Sequence, residues 1–578
     1  VLLPKSTAVQ ALTTVLLFCS LAVSTTARAE GPLWSSALSG EVEWSRLTPA
    51  GSLIIAGDNY VSHINTRSGE QLWSRDKMHN LGPFNIRFAG TAPVMVVSQL
   101  VGKMPMRNRL QVLDLASGET LWDTGVRNGI NLGGYTVPGK DLVLFVREST
   151  GERGVKNGTY ISAHRLSTGE LKWDTRLGGM GLLPTHMIDD NGFVSGMDLS
   201  GHPEPIITDD TLYLVAGDIR SISMADGTVN WHYKLKGSVP NLKHTYAQPV
   251  LDNGTLYAAG SNRIVALNAA TGEEIWSTRI GKAAIPELHL VDDRIVGRLG
   301  GTFSTGKKMQ QVKPFGAFVV DKQSGALLWQ WKKARESITN LAIFPKLDQI
   351  VLADKNFLYV LQLTAQKPTV VRKEKLEFKR AMGTAEAVSK GIGAVGGFLG
   401  GGLAGGFGGV AGGGDRRDPP LDISQVENSV VVRGQYHVLA HDLSSGRNTW
   451  SIEFAPPGVN PFALIAMGAV TTGLAVRNAK GAWTRDDNKS TLNSINRISG
   501  AYQDEASKRF AASERSQKLS FFLTMQDQQR QLIGINLETG EEVGTVPMAE
   551  KQPQFMVDAL GRRVYHFEGN GTLNAYEF

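Results

Sequence analysis

The chain has 578 residues, 42% hydrophobic and 20% charged, with a formal net charge of +6. That is room for several average domains or one large repeat-built one. The positive excess is mild and forms no basic stripe with interleaved aromatics, which argues against nucleic acid as a partner, and one cysteine leaves no disulfide framework.

Residues 1–29 read as a secretory signal peptide. Lys5 precedes an apolar run from Ala11 to Val23, and Ala27-Arg28-Ala29 supplies small residues for cleavage. Cys19 lies inside that run behind the bulky Phe18, which does not suit lipoprotein cleavage. Once the segment is removed, no cysteine remains to act as a nucleophile or thiolate ligand. The expectation is an exported protein of the bacterial envelope, in the periplasm, with residues 30–578 forming the fold.

From there one phrase recurs, typified by "ALNAATGEEIW" (Ala266 to Trp276). Its turn glycine appears at Gly69, Gly118, Gly169, Gly227, Gly272, Gly325, Gly446 and Gly540. Trp follows four residues later at Trp73, Trp122, Trp173, Trp231, Trp276, Trp329 and Trp450. A polar turn ending in Gly suits a hairpin that needs a positive φ. Two further strand-like runs precede each turn, as in "LYLVAGDIRSISM", which predicts about four short strands per unit of 45 to 58 residues, the spacing of propeller blades. One indole per unit, burying about 150–250 Å² against the next blade, is what a ring of face-packed blades requires. The Trp residues are therefore expected to be structural docking residues.

The loop "THMIDDNGFVSGMDLSGHPEP" (Thr185 to Pro205) gathers His186, Asp189, Asp190, Asp198, His202 and Glu204. Its spacing fits neither an EF-hand nor a zinc motif, so it is expected to be a solvated loop, with no metal site. Other histidines, His63 and His437 among them, fall in strand-like runs and are expected to be structural. Between Gly325 and Gly446 an unmarked unit fits at "LDQIVLADKNFLYVLQLTAQ", and residues 380–418 form a glycine-rich insertion. There Gly393, Gly397, Gly401, Gly405, Gly409 and Gly413 make an unbroken every-fourth-residue column, with Gly396, Gly400, Ala404, Gly408 and Gly412 beside it. Two readings stand: a flexible rim loop, or a membrane or self-association element using GxxxG packing. The 24 uncharged residues from 391 to 414, at about 1.5 Å each, are long enough for a bilayer core. A closed ring forbids a single span, so insertion implies a hairpin excursion or surface association. Arg372, Lys373, Lys375, Lys379 and Arg380 before it, and Arg416 and Arg417 after it, suit anionic headgroups.

A second, polar insertion with helical character is expected over 485–517. The last stretch, "RRVYHFEGNGTLNAYEF", reads as inner strands that stop before a Gly and Trp, while "LWSSAL" near the start supplies Trp34 at the missing outer position. The two ends are thus expected to complete one blade. Counting every inner strand gives as many as ten units.

The phrase A-x-D-x-x-[ST]-G-x-x-x-W resembles the tryptophan-docking motif of the pyrroloquinoline-quinone (PQQ) type propeller repeats. "AHDLSSGRNTW" (Ala440 to Trp450) fits it fully, and Ala266 to Trp276 departs only at Asn268. The resemblance implies an all-β propeller, usually of eight blades, in a superfamily that holds both quinoprotein dehydrogenases and non-catalytic, BamB-like envelope scaffolds. A quinoprotein would need PQQ, Ca²⁺ and an Asp base, and no residue here maps onto those positions; G-x-S-x-G, P-loop and H-E-x-x-H patterns are also missing from the sequence. The expected function is a non-catalytic interaction scaffold with envelope or outer-membrane protein partners and no cofactor; the alternative is a PQQ-dependent oxidoreductase.

Overall fold

The computed structural model describes residues 31–578 apart from 102–106, 180–186, 189–193, 197–203, 236–246, 305–308, 379–417, 456–501 and 510–518, and shorter gaps of one to three positions. Ten antiparallel sheets follow one another along the chain. They are blade 1 (44–76), blade 2 (86–128), blade 3 (130–178), blade 4 (206–233), blade 5 (250–279), blade 6 (287–334), blade 7 (342–375), blade 8 (422–453), blade 9 (519–547) and blade 10 (554–577 with 34–37). Nine have four strands in meander order, and blade 9 has three among the described residues.

Blade 10 is built from both ends of the described chain. Gln554–Asp558, Arg563–Phe567 and Thr572–Glu577 are completed by Trp34–Ala37, with Trp34 opposite Ala575 and Ala37 opposite Thr572. The ring therefore closes through a shared sheet, as the two terminal half-phrases lead one to expect.

Burial explains why these segments pair as they do. Second strands such as Leu53–Ala56 are buried along their whole length, because both faces of the sheet meet a neighbouring blade. Fourth strands alternate: in Gln71–Asp76 only Trp73 is buried. First strands of neighbouring blades approach one another at 2/3, 7/8 and 10/1, which puts them at the inner rim. Each blade interface has its own apolar cluster. The clusters run from 1/2 through 9/10, and the last joins Leu53 and Ile55 of blade 1 to Tyr565 and Leu573 of blade 10. Ten sheets with ten such interfaces make a closed ring. At about 1.5–3 kcal/mol per buried large aliphatic side chain, these clusters are its main support.

The turn between third and fourth strands is set locally. The Asp114 carboxylate accepts from the amides of Ala116 and Ser117 at 2.7 and 2.8 Å, and the amide of Gly118 donates to Asp114 O at 2.9 Å. Gly118 then carries the chain through φ = 71°. The same positive φ recurs at the other seven turn glycines.

The expected leader and the glycine columns at Gly393 to Gly413 lie outside the described residues. Within 485–517, Tyr502, Ala506, Lys508 and Arg509 are described and are helical. No helix among the described residues is long and apolar enough to cross a membrane.

Candidate functional site

The repeated phrase brings two elements together, but from different blades. Each indole donates its Nε1–H to a carbonyl of the corresponding turn in the following blade, and all but Trp329 lie on that turn's glycine; the turn of blade 7 after Leu363 has no glycine. Trp34 donates to Thr66 O (3.2 Å), Trp73 to Leu115 O (2.7 Å), Trp122 to Leu166 O (2.7 Å) and Trp173 to Met224 O (3.0 Å). Trp231 donates to Ala269 O (3.0 Å), Trp276 to Lys322 O (3.1 Å), Trp329 to Leu363 O (3.4 Å) and Trp450 to Glu538 O (3.4 Å). The glycines beneath them are Gly69, Gly118, Gly169, Gly227, Gly272, Gly325 and Gly540. A Cβ on Gly272 would stand 2.5 Å from the ring of Trp231, so the turn glycine is needed for close approach as well as for φ.

Two interfaces have no indole. At 7/8 the guanidinium of Arg372 covers Gly446, and its Nη1 donates to Leu443 O at 3.3 Å, three residues before the glycine as in six of the indole sites. Arg372 thus takes an indole's place, a role its neighbours in "VVRKEK" give no sign of. The adjacent basic residues are engaged too: Lys373 stands over the ring of Phe357 at 3.9 Å, and Lys375 pairs with Glu377 at 3.2 Å. At 9/10 the indole position holds Gly544, against which Phe578 packs.

The inner rim of blades 6 to 8 carries a buried polar network that the repeat does not announce. The Glu287 carboxylate accepts from Arg298 Nε (2.9 Å), His289 Nε2 (2.7 Å) and the amide of Leu341 directly before blade 7 (3.1 Å). Burial would raise the Glu287 pKa, but the hydrogen bond from His289 and the charge of Arg298 overcome that and hold it below the usual carboxylate value. The side chain of Asn340 pairs with the backbone of Ile423 in blade 8 through two 2.9 Å bonds. Beside it Asp422 and Arg433 repeat the pairing of Glu287 and Arg298, again directly opposite one another on first and second strands.

Of the polar loop, His186, Asp189, Asp190, Asp198 and His202 lie outside the described residues. Met187–Ile188 pairs with Val194–Gly196 as a short ribbon, and the backbone of Glu204 is bonded to the Gln248 amide at 3.0 and 2.8 Å. No cluster of metal-ligating side chains is found among the described residues. His63 is buried with Nε2 2.6 Å from Ser52 Oγ, and His437 sits 2.9 Å from the buried Asp418.

The residue before the docking Trp is an exposed aliphatic in several blades: Leu33, Leu72, Leu121, Ile275 and Leu328. Between the turns of blades 5 and 6 a cleft of about 600 Å³ opens beside Tyr257, Ile275, Trp276, Asp292, Asp321 and Lys322.

The family model described as outer membrane protein assembly factor BamB matches three overlapping segments, 21–128, 106–299 and 215–346, together more than half of the chain. The outer membrane protein assembly factor BamB of Salmonella typhimurium (strain LT2) is 31% identical over 187 residues, 30% of this chain and 47% of the relative. The chain thus spans about half the length of that curated relative. Among solved structures, BamB from Moraxella catarrhalis aligns with a TM-score of 0.34 and 12% identity over 70% of this chain and 96% of its own. A europium-containing methanol dehydrogenase aligns at 0.30 and 13%, over 93% and 84%. Neither structural likeness is close enough to bear on function.

Proposed function

The chain belongs to the PQQ-like propeller family described by the outer membrane protein assembly factor BamB model, and from that premise we propose that it is a non-catalytic scaffold of the bacterial envelope, serving protein assembly at the outer membrane from the periplasmic side. The family match over 21–346 carries this reading. The ring is consistent with it: polar side chains at the inner rim are paired with one another, as Glu287 is with Arg298, while the turns and outer strands face outward on a rigid support, where recognition loops belong. The partners are outer-membrane assembly proteins, and no cofactor is assigned. The glycine columns at Gly393, Gly397, Gly401, Gly405, Gly409 and Gly413 fit a membrane or partner contact on sequence grounds alone.

The test is cross-linking of the full chain in intact envelopes, with identification of the linked proteins. Cross-links concentrated on outer-membrane assembly components are expected. Dye reduction by the purified protein that depends on added PQQ and calcium would overturn the reading in favour of an oxidoreductase. Alkaline washing of membranes, with and without residues 391–414, separately reads the glycine segment: retention of the intact form alone assigns it to the membrane.

A further inference from the structure

The closing seam between blades 10 and 1 holds a feature that neither the repeat nor the family accounts for. Of the described helical residues of the second insertion, Tyr502, Ala506, Lys508 and Arg509, the first, second and fourth are spaced i, i+4, i+7, the spacing of one helix face. That face is turned to the ring. Ala506 is 1% exposed, and Tyr502 packs against the apolar cluster of blades 1 and 2, where burial raises its phenol pKa. Arg509 reaches the seam itself: its guanidinium lies on Gly51 of blade 1, and its Nη2 donates to Asp558 of blade 10 at 2.5 Å. Asp558 is 3% exposed, and its Oδ1 also accepts from the amide of Gly561.

The groups around this contact already tie the two blades. The carbonyl of Thr66 in blade 1 accepts from Trp34 Nε1 (3.2 Å) and from Arg563 (2.7 Å), both in blade 10, while Thr66 Oγ1 donates to Gly51 O (2.7 Å). Arg509 adds a third blade-to-blade link at the same turns, and it covers Gly51 as Arg372 covers Gly446. Tyr502, Ala506 and Arg509 lie in the chain between blades 8 and 9, yet their contacts are with blades 1, 2 and 10. We infer that Tyr502, Ala506 and Arg509 form a clasp: they hold blades 1 and 10 together, adding to a closure made by the strand Trp34–Ala37, the bonds to Thr66 and the shared apolar cluster.

The experiment is hydrogen exchange by mass spectrometry on the full chain with Arg509→Gln. Exchange in 34–37 and 563–577 is expected to rise about tenfold or more, with blades 4 and 5 unchanged. Exchange that stays as in the parent at the seam, or rises evenly around the ring, overturns the clasp. Should Arg509→Gln fail to fold, Arg509→Lys, which keeps the charge but loses the planar cover on Gly51, is read by the same two outcomes.

Discussion

Arg372 is the residue at which local chemistry and repeat pattern part company. Its guanidinium is planar, lies flat on Gly446 and donates to a turn carbonyl, which is all that the indole does in the other docked interfaces. Arg372→Ala is expected to lower stability by about 1–3 kcal/mol through lost packing and an unmet carbonyl, whereas Arg372→Trp should be close to neutral; urea unfolding of the two variants separates packing from charge. His63 carries a pH signature. Burial lowers its pKa from 6.5 to about 4, so the folded chain keeps the ring neutral while the unfolded chain protonates first. The contribution is complete above pH 6.5 and is lost as pH falls toward 4, with a slope of at most about 1.4 kcal/mol per pH unit for one group. A thermal-midpoint profile against pH should flatten in that window in His63→Gln.

Strands here are held by what crosses between blades as well as by their own pairing, and the first strands of blades 6 to 8 show both. The Glu287 carboxylate serves Arg298 in its own sheet and the Leu341 amide directly before the next, and Arg298 is 1% exposed. Glu287→Gln leaves that guanidinium without a counter-charge, and a loss of about 3–5 kcal/mol is expected. Replacing both by apolar residues of similar size, Glu287→Leu with Arg298→Met, should cost far less, which a double-mutant cycle in urea checks. These pairs were not legible beforehand, because a strand-borne Glu and Arg eleven residues apart look like ordinary solvated charges until the sheet register sets them opposite one another.

Across the whole ring, the repeat unit, its approximate number and the pairing of its terminal strands were legible in the chain. Gly and Trp at a fixed offset encode a turn and an apolar anchor that local chemistry forces into a hairpin, and two half-phrases, one with Trp34 and one with the inner strands, supply the parts of one blade. Even the unmarked unit at 347–366 was legible, since alternating aliphatics specify a strand pair without a docking residue. The packed blades alone revealed the turn carbonyl that each indole meets, the arginine that stands in for one of them, and the reach of Arg509, far along the chain, to Gly51 and Asp558. The physical reason is range. Turn geometry and burial periodicity act over a few residues and leave their mark in composition, whereas contacts such as Arg509 with Asp558 depend on how ten sheets are arranged about a common axis, which no local pattern records.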